Sequence, residues 1–450
     1  MFLRCVYLVM MITSISANAQ SKVARQDRYE IKQLMVPGFE NLPLERKMFV
    51  YYLSEALEAS RDIAWQQLSR HGLELRQLFE KIWPRIGELD APVRQSLESY
   101  YFELIHNHGP HDGNTNEKRV MTGILPEQFV TAVVSLGAEK ETAKRLLPDI
   151  FDPQLDRYRV APAGSDKIAT SGTAFYGEGM TTVLLEKLSA AEQRHFLSTP
   201  VVENEDHVRL LLHKQDGRFS SELSKAAFYL KLAKKYASPV EQELIDAHLR
   251  TIASGDPADL ERAERIWVQH KPEDITFVLG FVETYDDPLE ARGTWEGFIL
   301  LKNTNPEAAR RNQIIREHAA DFEQRMPVDE EFKKKGAFTP PDSEGAFMVR
   351  FAGGSSERSF KGVNLPNSAA IREELGSHSF TAYNKVNDLG DAGEAFTAQA
   401  LNEYYLPSYH ELLKRYGAAM PFTLLVEFHE MLGHGSGSDR SGVFSSDALG

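Results

Sequence analysis

Two histidines five residues apart, His429 and His434, bracket a glutamate in the run His429-Glu430-Met431-Leu432-Gly433-His434. Imidazole is a common zinc ligand. A carboxylate directly after the first ligand can reach a water on the ion without coordinating it, so the run fits metal-assisted hydrolysis with Glu430 as general base. The spacing makes a geometric demand. Residues five apart lie roughly 140° apart around a regular α-helix, so a straight helix cannot aim both rings at one ion. A π-turn that absorbs one extra residue restores a common face, and such turns recur at functional sites. Gly433, next to the second histidine, lowers the steric cost of that distortion. Upstream, Phe422, Leu424, Leu425, Val426 and Phe428 make the setting apolar. Two imidazoles and a carboxylate on a buried helix are costly unless something pairs them, and a divalent cation does so. Two purely structural histidines are the bland alternative.

The elements that must position this run are mostly helical. Pro421 suits the first turn of its own helix, and the preceding helix is opened by Pro407 and closed by Gly417. From Gln26 to about His106 apolar residues recur at three and four, as in Met48, Tyr51, Tyr52, Leu53 and Leu57, then Leu73, Leu75, Leu78, Phe79 and Ile82. A polar loop from His106 to Asn114 interrupts this, helical pattern resumes to Leu147, and Pro148 to Gly177 is irregular. Another helical block is expected from about Asp206 to Gln269. After Lys271-Pro272 the period changes. Ile275, Phe277, Leu279, Phe281 and Glu283 alternate, which predicts a strand, and Phe298 to Leu301 and Ala346 to Phe351 are similar short apolar runs. Asn305 to Arg325 reads as helix and Met326 to Ser343 as a linker. Within that linker Lys333-Lys334-Lys335, close behind Asp329-Glu330-Glu331, is expected to be solvated. Helical patterns return from Glu394. The expected class is α+β, mainly α-helical.

At 450 residues and 42% hydrophobic content the chain can build two or three domains with their own cores. A net charge of −14 argues against a phosphate-tracking nucleic-acid surface and against an anionic membrane. Arg4, the apolar stretch Cys5 to Ile15 and Ala17-Asn18-Ala19 compose a secretory leader over residues 1–19, too short to span a bilayer with ordinary flanks. The expectation is an exported protein, periplasmic or secreted, with no membrane attachment after cleavage; an uncleaved anchor is the alternative. Cleavage removes the single cysteine, Cys5, so a metal would have to be held by His, Asp or Glu.

Three blocks in register give the run its context. The first is the histidine motif, followed by Gly435-Ser436-Gly437. The second is Gly280-Phe281-Val282-Glu283-Thr284-Tyr285-Asp286-Asp287-Pro288, continuing to Arg292-Gly293 and Glu296-Gly297. The third is Gly362-Val363-Asn364-Leu365-Pro366-Asn367. In order and approximate separation they resemble the dipeptidyl peptidase III family, and looser similarity extends from about residue 25 to the end. The resemblance implies one Zn2+ ion held by His429 and His434, with Glu430 and Tyr285 catalytic. Tyr285 would donate to the developing oxyanion, Glu283 would bind the free amino group of the peptide, and Asn364 and Asn367 would hold its first residues by amide hydrogen bonds. Without that context Glu283 and Tyr285 read as strand-edge residues and the two asparagines as turn formers around Pro366. His106, His108 and His111 have no spacing that fixes a coordination geometry, and a loop near the peptide cleft is expected there.

The resemblance further implies a two-lobed fold. Residues 20–303 and 348–397 would form a lower, peptide-binding lobe with a small β-barrel, and residues 304–347 and 398–450 would begin a helical, zinc-binding upper lobe. The family's third zinc ligand is a glutamate on a later helix, which would fall beyond residue 450. Glu330-Glu331 and Glu373-Glu374 lie upstream and are not assigned to that role. On this reading the chain is C-terminally truncated, its upper lobe is incomplete and its own peptidase activity is expected to be weak. The implied function is removal of dipeptides from the N-terminus of short peptides. A peptide-binding protein without catalysis is the alternative, and a helical scaffold with coincidental motifs a third.

Overall fold

The computed structural model describes residues 22–26, 29–113, 115–204, 207–270, 272–304, 306–334, 342–353, 361–386, 406–408, 410–411 and 426–433. Residues 1–19, Gly417, Pro421 and His434 lie outside the described residues, as does most of the helix expected from Glu394.

A short antiparallel hairpin, β1 (Lys22–Gln26) with β2 (Tyr29–Lys32), occupies the start of the region where a helix was expected. Helix begins only at α1 (Leu44–Ser60), directly after Pro43, because Pro37, Gly38 at φ 89° and Pro43 break any earlier winding. Then come α2 (Asp62–Leu68), α3 (Gly72–Ile82), α4 (Ala91–Asn107), α5 (Pro126–Ser135), α6 (Lys140–Arg145) and α7 (Leu147–Phe151). Beyond the short α8 (Thr182–Leu185) and α9 (Ala190–Gln193), β3 (Ser198–Asn204) pairs antiparallel with β4 (His207–Leu212). The helical reading from Asp206 is therefore corrected over β4. Pro200 faces Leu210 and Val202 faces Val208, and such cross-strand apolar pairs override a local helical period. The rest of that block is helical as expected: α10 (Ser220–Ala233), α11 (Pro239–Ser254) and α12 (Pro257–Gln269). Ser238 and Glu241 cap the start of α11 reciprocally, and Gly255 at φ 65° ends it.

The remaining strands build the sheet that positions the site. They are β5 (Ile275–Glu283), β6 (Thr294–Lys302), β7 (Asp342–Gly353), β8 (Gly362–Leu365) and β9 (His378–Ala382), in the spatial order β5-β6-β7-β9-β8. Neighbours are antiparallel except β7 with β9. Helices α13 (Pro306–Glu317) and α14 (Ala319–Arg325) are inserted between β6 and β7, α15 (Ala369–Leu375) between β8 and β9, and α16 (Tyr383–Val386) comes directly after β9. Where a closed barrel was expected, the sheet is open: β5 and β8 are its edges, and no ladder joins them among the described residues. The edges do approach, since Asn367 Nδ2 just past β8 lies 3.5 Å from the Val282 carbonyl on β5. The linker lysine Lys333, expected in solvent, is buried. It donates to the Gln324 carbonyl at 2.8 Å and to Glu330 at 2.6 Å, closing the last turn of α14.

The main core lies where α1 and α10–α12 cover the sheet. Helix α1 crosses β6 at Gly297, where a Cβ would stand 2.3 Å from Leu57 Cδ2, so only glycine admits that approach. Arg46 of α1 clamps Glu241 of α11 (2.7 and 2.9 Å) and Asp274 before β5 (2.9 Å), and both carboxylates raise its already high pKa against the opposing effect of burial. The buried Gln67 of α2 exchanges two bonds with the start of β6, accepting from Trp295 N–H at 2.7 Å and donating to the Gly293 carbonyl at 2.9 Å. A second apolar cluster joins α3 to α7, and a further small one packs Met431 and Leu432 against Ile315 and Ala319 of α13 and α14. Among the described residues no helix is long and apolar enough to cross a membrane.

Candidate active site

Residues 426–428 are α-helical and His429–Gly433 are wound as a π-helix, the distortion that the five-residue spacing demanded. Widening the turn changes the partners of its carbonyls, and Asn364 of β8 meets this by donating Nδ2 to the Glu430 carbonyl at 2.9 Å. Glu430 is buried, and its carboxylate lies directly on Gly362, where a Cβ would stand 2.6 Å from Oε1. His429 is exposed. Both line a cavity of about 290 Å³ with Lys361, Gly362 and Val426.

Glu283 ends β5 on the opposite edge strand. Asn367 donates Nδ2 to its Oε2 at 2.9 Å. Burial raises the Glu283 carboxyl above its ordinary value, with a smaller push from Asp286 and an opposing effect from the Asn367 bond. Burial likewise lifts Glu430 to about 7, and the Glu283 charge adds to that. The structure thus brings together Glu283, Asn364, Asn367, His429 and Glu430. Tyr285 stands 60% exposed on the β5–β6 connection.

Several residues that hold this cleft carry no signal in a single sequence. The β5–β6 connection is pinned by Arg159, which donates to Asp286 at 3.0 Å and to the carbonyls of Asn107 and His111 at 3.1 and 2.9 Å. This ties the histidine-bearing loop to the segment carrying Glu283 and Tyr285. Asp287 accepts from Ala291 and Arg292 N–H at 2.8 and 2.9 Å, and the buried Arg292 side chain donates to Tyr176 Oη and the Gln193 carbonyl. The long-range partners of Asp286 and Asp287, Arg159 and Tyr176, could not be read from spacing.

Glu430 Oε2 is buried without a hydrogen-bond partner among the described residues. An orphaned carboxylate oxygen on a residue that lines the same cavity as an imidazole suits a water held between that carboxylate and a divalent cation on the imidazole. Among the described residues no group of three metal-ligating side chains is assembled, and His434 is outside them.

The sequence model of peptidase family M49 matches residues 180–441. The chain belongs to that family. It is 28% identical to dipeptidyl peptidase 3 of Dictyostelium discoideum over 235 residues, which are 52% of this chain and 31% of that protein. Against dipeptidyl peptidase 3 of Homo sapiens the identity is 27% over 236 residues, 51% of this chain and 30% of the relative. The match thus spans about a third of the length of these curated relatives. Among solved structures, DPP III from Caldithrix abyssi superposes with a TM-score of 0.62 at 17% identity, covering 88% of this chain and 64% of that one. Dipeptidyl-peptidase III from Corallococcus sp. strain EGB gives 0.61 at 15%, covering 91% and 65%. These two likenesses show a shared mixed α+β, mostly helical fold.

Proposed function

We propose that the cleft between Glu283 and Glu430 is that of a zinc-dependent exopeptidase releasing dipeptides from the free N-terminus of oligopeptides. The observation that carries this is Glu430 on the π-turn of the His-Glu motif, buried beside a cavity that His429 also lines and with one carboxylate oxygen unpartnered among the described residues, while Asn364 and Asn367 of one short segment contact it and Glu283 at the end of β5. His429 and His434 would hold the ion. Zinc, when bound, would supply a Lewis acid that polarises the scissile carbonyl and makes water more acidic.

The chain's own residues divide the remaining work. Glu283, oriented by Asn367, receives the peptide's ammonium through charge-assisted hydrogen bonds and fixes the distance from the amino end to the reacting bond. Asn364, which donates its NH2 to the Glu430 carbonyl, keeps a buried Oδ1, unpartnered among the described residues, as an acceptor for a peptide N–H. Glu430 takes a proton from the attacking water and passes it to the departing amine; a carboxyl near 7 is matched to both transfers. Tyr285 would reach the oxyanion on closure of the lobes, assigned as 20–303 with 348–397 and 304–347 with 398–450. We assign residues 1–19 as a cleaved export leader.

Glu430→Gln in zinc-supplemented chain should lower dipeptide release from an arylamide substrate by about 10²–10⁴-fold while peptide affinity is kept. Equal rates, or release of single amino acids, would sink the proposal. The alternative of a peptide binder without catalysis draws on the fact that Glu283, Asn364 and Asn367 are assembled by protein contacts alone. It predicts full peptide affinity after chelation and no release at all.

A further inference from the structure

Two residues before His429 lies a charge that the proposed chemistry does not use. Glu427 is fully buried, and two separate pieces of chain meet on its carboxylate. Arg311 of α13 donates Nε to both carboxylate oxygens at 3.2 Å and Nη2 to Oε1 at 3.1 Å. Tyr383, at the start of α16, donates its phenol to the same Oε1, and Arg311 Nη2 donates to that phenol oxygen at 2.8 Å. The guanidinium also sits over the Tyr383 ring, 5.6 Å from its centroid. Burial and the adjacent Glu427 raise the Tyr383 phenol, so it stays protonated as a donor.

We propose that Arg311 and Tyr383 are positioning residues: with Glu427 they form a clamp that sets the register of the π-turn, and thereby the direction in which His429 and Glu430 face. A π-turn holds one residue more than the backbone prefers, and that residue can migrate along a helix. Each one-residue shift turns the downstream residues by about 100°. Such a shift would lift Glu430 off Gly362 and swing His429 out of the cavity. The apolar contacts here, Met431 and Leu432 on Ile315 and Ala319 with Phe428 beside Phe322, are non-directional and tolerate sliding. The Glu427 carboxylate does not, since leaving it in the interior without Arg311 and the phenol is costly. Fixing register is the best-attested use of a buried polar group. Because Glu427 belongs to the α-helical turn just ahead of the widened one, pinning it confines the extra residue to 429–433.

The clamp rests on reading His429 and Glu430 as site residues, but its test can be made without metal or turnover. Amide hydrogen exchange of the metal-free full chain is compared between wild type, Tyr383→Phe and Glu427→Gln. Tyr383→Phe keeps the ring and removes one bond to a charged acceptor, so amides of 426–433 should exchange about tenfold faster, with β5 and β6 unchanged. In parallel, zinc affinity measured by competition with a chromophoric chelator should fall about tenfold or more, the usual effect of losing a partner behind a ligand. Unchanged exchange over 426–433 in Tyr383→Phe would overturn the clamp, as would an equal acceleration spread over the whole sheet. Should Glu427→Gln fail to fold, Tyr383→Phe still decides. A wild-type chain that takes up no zinc, with local exchange still accelerated in Tyr383→Phe, would overturn the zinc-peptidase reading and leave the clamp standing.

Discussion

A methyl group on Gly362 would stand 2.5 Å from Glu430 Cγ and 2.6 Å from Oε1, closer than real side chains approach. Gly362→Ala should therefore displace the carboxylate rather than unfold the sheet, since β8 is an edge strand. The expected result is a fall in kcat/KM of about 10²-fold with peptide affinity within a few fold, the penalty of a misplaced catalytic group. At Glu283 the prediction concerns recognition. Glu283→Gln should weaken a free-amino oligopeptide about tenfold or more and leave its N-acetylated twin unaffected, as measured by calorimetry. Glu283 was singled out because its block resembles the dipeptidyl peptidase III family, and Gly362 only as part of another such block. The reason Gly362 must be glycine was not visible, because its neighbour is a side chain 68 positions away whose approach depends on the fold.

Elements divide in the same way. The alternation from Ile275 to Glu283 marked β5 with its true bounds, and the histidine spacing predicted the π-turn at His429–Gly433. Strands β4, β8 and β9 went unread, being short segments whose pairing partners are distant or carry helical periodicity. Helix α12 carries a titratable group that no motif announced. Glu264 faces a largely apolar pocket lined also by His248, Trp267, Val282 and Pro366, and burial, with Glu261 nearby, pushes its carboxyl up to about 7. An acid raised on folding binds a proton in the native state that the unfolded chain has already released. Its favourable contribution is present below the ordinary carboxylate range and is lost as pH rises through 7. Urea midpoints should therefore fall between about pH 5 and 8 more steeply in wild type than in Glu264→Gln. Parallel curves would show that Glu264 is solvated. Glu430, raised in the same direction, would leave some slope in both proteins.

At the scale of the molecule, an acidic chain places Glu283 at the end of β5 and Glu430 on the π-turn against β8, joined through Asn364 and Asn367, with Lys361 beside Glu430 in the cavity. That arrangement suits a cationic amino terminus and a divalent ion together, and each would relieve the desolvation of the carboxylate it meets. Fold class was legible from sequence; that β5 and β8 are left unjoined among the described residues was not, since ladder bonds between distant strands are encoded by no local pattern. The decisive measurement is a zinc-edge anomalous difference map of the chain crystallised with zinc and a non-hydrolysable oligopeptide. A zinc exopeptidase should give one peak beside His429 in the cavity over Gly362, with the peptide's ammonium on Glu283. A peak elsewhere with that cavity empty, or a peptide bound with its amino end away from Glu283, would rule that assignment out.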